Sequence, residues 1–413
     1  MSSSVFYLLQ QRMYGILTIS YIRFFAGMRW SMETQTEQKI IEIRRKIHQH
    51  PELAFCEHET GKLISDTLDE LGIPYRTGVG KTGIMAELAG GRPGKTIALR
   101  ADMDALLIQE AAEVPFRSRI DGQMHACGHD AHVACLLGCA MLLKPKMEGL
   151  AGNVRLLFQP AEEATGGAEP MILDGALDGA DACAALHVAP ERNTGTVALR
   201  DGAMYASPDD FTIVVCGKGG HGAHPEDARN PIPAACAMAD RIQQVQYEIK
   251  ERTVVTICAV NGGTCTNVIP ETVTVLGTAR SLSPDVREEL YKRIKAVVED
   301  VAQQYEVGHT FDFRFLYPPL INNASMAGLL RRSAAQVIGA EHVLEEALPS
   351  MGGEDFAYFA QKLPSVLFHL GCSDGSERTS FPVHSPYFCL DENCLKVGSQ
   401  VLCCLAMNYL NQK

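Results

Sequence analysis

The sequence has no excess of positive charge. Its 413 residues carry a formal net charge of -12 at pH 7, and no basic stripe or RNA-binding motif is present. Proteins that bind nucleic acid through its backbone need a positively charged surface. We therefore expect no nucleic-acid partner, although a single arginine could still bind an anionic substrate.

The chain also lacks a long uninterrupted apolar run. The stretch 5–27 is apolar and aromatic, but four polar residues break it: Gln10, Gln11, Arg12 and Arg23. A membrane-spanning helix needs roughly 20 nearly uninterrupted apolar residues, and no basic start precedes this stretch, as a signal peptide would require. We expect no membrane association, and we interpret residues 1–31 as an atypical leader that need not be native. Met32 is the more natural start.

Fourteen cysteines are present, yet they form no C-x-x-C pair and no disulfide framework. They are spread through apolar runs such as residues 134–137 and 401–405. A free cysteine in such a run behaves as a small buried hydrophobe. This pattern is typical of a reducing compartment, so we expect a cytoplasmic protein.

Apolar, strand-like runs alternate with helical patterns in the first half of the chain. Strands are predicted over 96–99, 154–158 and 182–186, and helices over 37–47, 58–71 and 130–143. This alternation indicates an α/β domain with a mixed sheet. Ligands of such sheets gather beyond the carboxyl ends of the strands, so polar residues that follow these strands are candidates for a binding site.

Residues 209–316 follow a different rhythm. Strands are predicted over 211–215, 254–260, 272–279 and 311–315, with helices over 231–250 and after Ser283, which caps a helix that has Pro284 at its first position. The apolar stripe predicted for this second helix is Val286, Leu290, Ile294, Val297 and Val301. The order β-α-β-β-α-β is that of a ferredoxin-like unit. We therefore expect residues 206–317 to be inserted into a domain formed by 32–205 and 318–413.

Five residues that can bind a divalent metal follow strand-like runs, where each run gives way to a turn: Cys127, His129, Glu163, His187 and His384. Thiolate, imidazole and carboxylate groups suit zinc, cobalt, nickel, iron or manganese to different degrees. A C-x-H pair alone is a weak signal, because a lone histidine near a helix start is usually a hydrogen-bonded core or surface residue. Context strengthens it, since Gly128 permits a tight turn and Asp130 could cap the next helix. We do not expect His125 or His132 to be ligands.

Glu162 and Glu163 follow Pro160 at the end of a predicted buried strand. A solvated acidic turn would be the usual interpretation of such a pair. Adjacent side chains project in different directions, so one carboxylate could bind a metal while Glu162 acts as a base. Asp102 and Asp104 end another strand, and either could be an oxygen ligand or could orient a histidine. A salt bridge with Arg100 is the alternative, and we favour Asp104 as the residue that orients a histidine.

Other interpretations remain open at this point. The glycine-rich loop around His221 permits close approach of a ligand, but a phosphate cradle is a weak competitor because no GKS/T or GxGxxG motif is present. Asn267 and Arg280 end two neighbouring strand runs. Arg280 could bind a carboxylate bidentately, and a surface salt bridge is about as well supported.

No G-x-S-x-G motif is present, which leaves Cys127 paired with a histidine as the main non-metal alternative. That thiol mechanism gives no role to Glu163, His187 and His384.

These motifs resemble those of the M20 family of metallopeptidases and amidohydrolases. The similarity is strongest to the branch of hippurate hydrolases, indole-acetyl-amino-acid hydrolases and N-acetyl-diaminopimelate deacetylases. The matching segments are RRKIHQHPEL at 44–53, RADMDAL at 100–106, HACGHDAH at 125–132, QPAEE at 159–163, GKGGHGAHP at 217–225, TNVIP at 266–270 and GGEDF at 352–356. They occur in family order from about residue 36 to the end of the chain, so together they are highly specific.

The resemblance implies two divalent metal ions per subunit (Mn, Zn, Co or Ni), with Cys127 in the bridging position. It implies Glu162 as general base and acid, with Asp104 supporting it. It also implies a homodimer formed through the inserted domain, so that His221 enters the partner subunit's site and stabilises an oxyanion. The substrate would be held by these residues: Asn267, Arg280, His224 and Gly353.

The resemblance also implies hydrolysis of N-acyl-amino acids to a carboxylate and a free amino acid, through a metal-activated water. A dipeptidase or carboxypeptidase with the same site is the alternative. A non-catalytic metal-binding protein is a weaker one.

Overall fold

The computed structural model describes residues 32–412, so the predicted leader over 1–31 lies outside the described residues. The helices are α1 Thr34–Gln49, α2 His58–Glu70, α3 His129–Leu143, α4 Ala168–Leu173, α5 Pro231–Glu248, α6 Pro284–Gln304, α7 Ala324–Ile338, α8 Ala357–Lys362 and α9 Asn393–Leu410. The first strands are β1 Tyr75–Val79, β2 Gly83–Ala89, β3 Arg92–Asp102, β4 Ala151–Gln159, β5 Ala182–Asn193, β6 Val197–Leu199, β7 Gly202–Tyr205 and β8 Ser207–Cys216. The remaining strands are β9 Gly220–His221, β10 Val254–Asn261, β11 Val268–Ile269, β12 Thr272–Ser281, β13 Gly308–Arg314, β14 Leu320–Asn322, β15 Val343–Glu345 and β16 Ser365–Ser373. Within residues 32–412, no helix is both long and apolar enough to cross a membrane.

The larger sheet has eight strands in the order β1-β2-β4-β3-β5-β16-β6-β15. The central pairs β4/β3, β3/β5 and β5/β16 are parallel, whereas β1/β2, β2/β4 and β16/β6 are antiparallel. Apolar side chains of α1, α3 and α9 pack on one face, and those of α4 and α8 on the other. The predicted α/β arrangement with a mixed sheet is therefore confirmed.

Helix α3 is apolar on every side, and nearly all of it is buried. A helix with this composition is stable only inside a core, and α3 packs with α1, with α9 and against the sheet. Its first turn is therefore held in a fixed position beside the carboxyl ends of the central strands. That first turn carries His129 and Asp130.

The smaller sheet is antiparallel, with four strands in the order β10-β12-β8-β13. Helices α5 and α6 cover one face and share a separate apolar core with it. Helix α6 starts as expected, because Ser283 accepts a hydrogen bond from the Val286 N–H and Pro284 occupies the first position. Its stripe differs from the prediction at one residue, since Val298 is buried where Val297 was expected. Val297 is only partly buried.

A two-residue ribbon lies beside this sheet, in which His221 of β9 pairs with Val268 of β11. The prediction that Asn267 ends a strand is wrong, because Asn267 precedes β11 and Pro270 follows it. Arg280 lies inside β12, paired with Val254, rather than beyond its end. Proline has no N–H to donate, which explains why the apolar run before Pro270 forms only this short strand.

Candidate metal centre

The turn before α3 positions Cys127 and His129. Gly128 has φ 87°, in the left-handed region, and a Cβ there would lie 2.5 Å from Cγ2 of Val188. The turn therefore requires glycine. The expectation that Asp130 caps α3 is wrong. Its carboxylate lies inside the first turn, where Oδ2 is 2.7 Å from Arg44 Nε and 2.8 Å from His48 Nδ1.

Two histidines present their Nε2 atoms to a shared space. His129 Nδ1 lies 3.2 Å from Asp104 Oδ1, and His187 Nδ1 lies 2.8 Å from the backbone carbonyl oxygen of Val188. Both carbonyl and carboxylate oxygens accept, so each Nδ1 donates a hydrogen bond and each Nε2 is left for another partner. His129 Nε2 is buried without a hydrogen-bond partner, and His187 Nε2 lies 3.3 Å from Cys127 Sγ.

His187 does not follow the end of its strand, as the sequence suggested, but lies inside β5. Pairing of β5 with β3 stops at Ala185, while pairing with β16 continues and sets His187 beside His369. Because β3 no longer covers this part of β5, the His187 side chain reaches the cavity edge although the strand continues.

A strained turn directs the two glutamates. Ala161 has φ 58°, which is uncommon for a residue with a side chain, and its N–H donates to Glu57 Oε1 at 2.9 Å. The next two N–H groups, of Glu162 and Glu163, donate to the two carboxylate oxygens of Asp104 at 3.1 and 3.0 Å. Asp104 thus hydrogen-bonds to the glutamate turn and to His129 together, and its orienting role stays a prediction.

Glu162 is buried beside other carboxylates and is not part of a solvated acidic turn. Burial and the negative charges of Glu354, Asp355 and Glu163 raise the pKa of Glu162 well above its ordinary value. A carboxylate in such surroundings has a strong tendency to take up a proton. This is a property that a general base requires.

Glu163 lies opposite His384, whose Nε2 is 3.0 Å from Glu163 Oε1. Burial alone would raise the pKa of Glu163, but His384 and His129 together lower it. His384 adopts φ 66°, and its N–H donates to the Ala126 carbonyl at 2.8 Å. This backbone contact places the imidazole next to the Cys127 turn.

The five predicted ligands form two groups that share one residue. Cys127, His129 and His187 offer ligand atoms within 4.8 Å of one another, and so do Cys127, Glu163 and His384. A buried imidazole nitrogen without a partner, a thiol and a carboxylate are donors that suit zinc and similar divalent ions. The residues present therefore fit divalent ions of this kind, and Cys127 belongs to both groups.

The neighbouring histidines do not join these groups. His132 uses both ring nitrogens, one toward Asp102 Oδ1 at 2.5 Å and one as acceptor of the Val188 N–H at 3.0 Å. His125 is buried with neither ring nitrogen hydrogen-bonded, and burial lowers its pKa to about 3. That neither is a ligand stays a prediction, because Asp102, His129 and His132 also offer ligand atoms within 4.8 Å of one another.

Arg100 organises the carboxylates behind the centre, and sequence reasoning noted only part of this. Its guanidinium donates to Asp102 at 2.6 Å, so the salt bridge considered for Asp102 is present. It also donates to Glu354 at 3.0 Å and to Asp355 at 2.9 Å. The motif at 352–356 was the sequence signal for these two acids, but nothing local indicated their partner.

The ligand groups open into a cavity of about 660 Å³ between the two sheets. Its walls contain Cys127, Glu162, Glu163, His187, His384, Arg280 and Gly353 among the predicted site residues. Arg280 has no salt bridge within residues 32–412. His221, His224 and Asn267 are exposed and lie outside these walls. This chain therefore does not bring His221, His224 and Asn267 to the centre.

The cavity wall also contains residues that the sequence did not single out. Tyr205, Glu346 and His369 line it together. They come from β7, from the loop after β15 and from β16, and none lies in a recognisable motif. Only the folded chain brings them together.

Comparison with known proteins agrees with this geometry. The family model described as "Peptidase family M20/M25/M40" matches residues 98–408. Thermostable carboxypeptidase 2 of Saccharolobus solfataricus is 39% identical over 387 residues, which are 92% of this chain and 97% of the relative. N-acetyl-L-cysteine deacetylase of Bacillus subtilis is 40% identical over 369 residues, 89% of this chain and 87% of the relative.

An IAA-amino acid hydrolase of Arabidopsis thaliana is 38% identical over 381 residues, 91% of this chain and 86% of the relative. Among solved structures, a Bacillus subtilis protein described as a dinuclear metal binding peptidase from the M20 family superposes with a TM-score of 0.82 at 36% identity. That superposition covers 92% of this chain and 100% of the other.

Proposed function

Because the chain belongs to peptidase family M20/M25/M40, we propose that it hydrolyses N-acyl-amino acids to a carboxylate and a free amino acid. It is a metal-dependent amidohydrolase, and relatives named for deacetylating N-acetylcysteine and for hydrolysing IAA-amino acids support this substrate class. The observation that carries the proposal is the pair of ligand groups sharing Cys127 beside a buried Glu162.

The metal site would be held by the five predicted ligands, two ions per subunit, drawn from Mn, Zn, Co or Ni. Bound divalent ions polarise an amide carbonyl and lower the pKa of water. The fit rests on the unpartnered His129 Nε2 and on the two imidazoles whose Nδ1 atoms are already committed.

Glu162 would move the protons of the reaction. Its position in the cavity wall and its surroundings of Glu354 and Asp355 suit a group that takes a proton from water and then donates it to the leaving amine. Asp104 keeps Glu162 in place through the backbone and is a positioning residue. Tyr317 supports the same turn, because its hydroxyl donates to the Glu162 carbonyl at 2.9 Å.

Arg280 would bind the substrate carboxylate. It lies in the wall of the same cavity as the ligand groups, beside its strand partner Pro208, and a guanidinium binds carboxylates bidentately. Gly353 lies in the same wall. A Cβ at position 353 would lie 2.7 Å from Pro208 Cγ, so the close approach of these two residues requires glycine.

Residues 206–317 would form a unit that contacts a second copy of the chain, while 32–205 and 318–413 form the catalytic unit. The outer strand β10 is unpaired on one side and exposes Thr256, Cys258 and Val260. Such an edge can pair with another chain. In a dimer of this kind His221, with His224 and Asn267 near it, would enter the partner's cavity and stabilise the oxyanion.

A peptide substrate is the second candidate, because a relative of 39% identity is named a carboxypeptidase. A thiol mechanism is less suitable. Burial and the charge of Glu163 raise the pKa of Cys127 well above its ordinary value, and a thiol needs a lowered pKa to be a good nucleophile at neutral pH.

The experiment is a substrate panel on chelated protein, repeated after adding back Mn, Zn, Co or Ni. It includes N-benzoylglycine, N-acetyl-diaminopimelate, N-acetylcysteine, N-acetylmethionine and matched dipeptides. We expect hydrolysis of N-acyl-amino acids that chelation abolishes and one metal restores. Cleavage of the dipeptides alone would favour the second candidate, and activity that persists after chelation would contradict the metal mechanism.

A further inference from the structure

Three side chains that the proposed reaction does not use form one hydrogen-bonded series in the cavity wall. Tyr205 Oη lies 2.7 Å from His369 Nε2, and His369 Nδ1 lies 2.8 Å from Glu346 Oε1. Arg192 closes the far end, because its Nε donates to Glu346 Oε1 at 3.0 Å and its Nη2 to Oε2 at 2.5 Å.

The direction of these hydrogen bonds follows from Glu346. Burial raises the pKa of this carboxyl, but hydrogen bonds from His369 and Arg192 lower it to about 2. An ionised carboxylate only accepts, so His369 Nδ1 carries a proton and donates it. In a neutral imidazole Nε2 is then an acceptor, and the Tyr205 hydroxyl must be its donor.

This arrangement leaves the Tyr205 oxygen as a pure acceptor. A phenol has one hydrogen to donate, and Tyr205 gives it to His369. In the part of the chain that the structure describes, this hydroxyl has no second hydrogen-bond partner. Its remaining lone pairs therefore suit an N–H group of a molecule in the cavity.

The series lies directly beside the candidate metal centre. His369 of β16 is the register partner of His187 of β5, so the two side chains leave neighbouring parallel strands on the same face. Tyr205 lines the same cavity as Cys127 and Glu162. Its backbone pairs with Leu320 on one side and with Ser350 on the other, which fixes the root of the ring.

We propose that Tyr205 contacts the substrate and accepts the N–H of the scissile amide, with His369 and Glu346 as its positioning residues. The inference rests on the proposed function, since it assigns the cavity an amide substrate. It predicts a preference for secondary amides over esters of the same shape. A site built to bind an N–H discriminates against an analogue that lacks it, because its acceptor then stays unpaired.

The test compares an N-acyl-amino acid that the wild-type enzyme hydrolyses with the ester that has the same acyl group and side chain. The ester replaces the N–H by oxygen, which removes the proposed contact but also makes the carbonyl more reactive, so each variant is compared with the wild type on the same substrate. Tyr205→Phe should lower kcat/KM for the amide about tenfold and leave kcat/KM for the ester unchanged. Tyr358→Phe is the matched control, because Tyr358 lies outside the cavity wall and its hydroxyl donates to the Leu316 carbonyl.

His369→Asn tests the positioning role and provides a second variant. Without the imidazole the phenol can turn its hydrogen toward the cavity, so the amide-over-ester ratio should fall as in Tyr205→Phe. An equal loss for both substrates, or no change in the ratio in either variant, would overturn the inference while leaving the proposed function intact. Wild-type protein that cleaves neither substrate would overturn the proposed function and this inference with it.

Discussion

The metal-ligand groups and the β9–β11 ribbon both carry residues suited to catalysis, yet they differ in how the chain supports them. At the centre, His129 and His187 each have one ring nitrogen held by an acceptor of the same chain. On the ribbon, His221 is exposed and its Nδ1 accepts the Ala223 N–H two residues away. One region is completed by the chain itself and the other is not.

This contrast separates the residues that one chain holds in place at the centre from those that it leaves exposed on the ribbon. Buried polar groups need partners, and at the centre His129 Nε2 has none within the described chain, as expected of a group that would bind a metal. An exposed histidine outside the cavity has no such requirement within its own chain. In the proposed dimer, the ribbon of one copy would contribute to the reaction in the cavity of the other.

The largest effect is expected from Glu162→Gln, which removes the proposed base without removing a ligand. Turnover should fall by about 10²- to 10⁴-fold, while elemental analysis should give the wild-type metal content. Glu169→Gln is the matched control, because Glu169 is exposed in the same segment. A near wild-type rate for Glu162→Gln would remove Glu162 from the mechanism.

A mixing experiment addresses the ribbon. His221→Ala should lose about 10²-fold or more in kcat, the cost of losing an oxyanion donor. When His221→Ala is mixed with Glu162→Gln, subunit exchange should restore about a quarter of wild-type activity, because one of the two sites in each mixed dimer is complete. No recovery in dimers known to exchange would mean that His221 does not act across a subunit interface.

The smallest effect concerns stability at the cavity wall. The pKa of Glu346 is lowered in the folded state from 4.5 to about 2. The ionised carboxylate therefore stabilises the fold at pH values above its unfolded-state pKa, and this contribution is lost as the pH falls toward the folded-state pKa. In chelated protein, Glu346→Gln should lower the free energy of unfolding by about 2 kcal/mol at about pH 6 and by less at about pH 3.

Urea denaturation at both pH values provides the measurement. Glu345→Gln, at an exposed neighbour paired with Arg331, should change the free energy of unfolding by less than about 1 kcal/mol. A Glu346→Gln difference that grows as the pH falls would contradict the sign of this linkage.

Much of the larger sheet could be predicted from its apolar runs, because parallel central strands are buried on both faces and read as continuous hydrophobic segments. The strands at 96–99, 154–158 and 182–186 were found inside longer ones. The extent of β5 beyond His187 could not be predicted, since it depends on pairing with β16 far along the chain. The burial of Val298 in place of Val297 could not be predicted either, because it depends on how α6 is rotated about its own axis.

The site was partly readable because its residues lie in short motifs with fixed spacing. Cys127 and His129 share one turn, and Glu162 and Glu163 another. The roles of Tyr205, His369 and Arg100 could be predicted only in part, because each has a partner far along the chain: Tyr205 and His369 pair with each other, and Arg100 pairs with Gln159 and Glu354. The prediction that Asp130 caps α3 was wrong for the same reason, because its partner Arg44 lies in α1.

The most direct test of the account is the metal content of Cys127→Ser beside that of Cys135→Ser, a buried cysteine in α3 that belongs to neither ligand group. Wild-type protein and Cys135→Ser should both bind about two divalent ions per chain, and Cys127→Ser should retain far less of both because both groups share this thiol. Wild-type metal content in Cys127→Ser would contradict the shared-ligand centre.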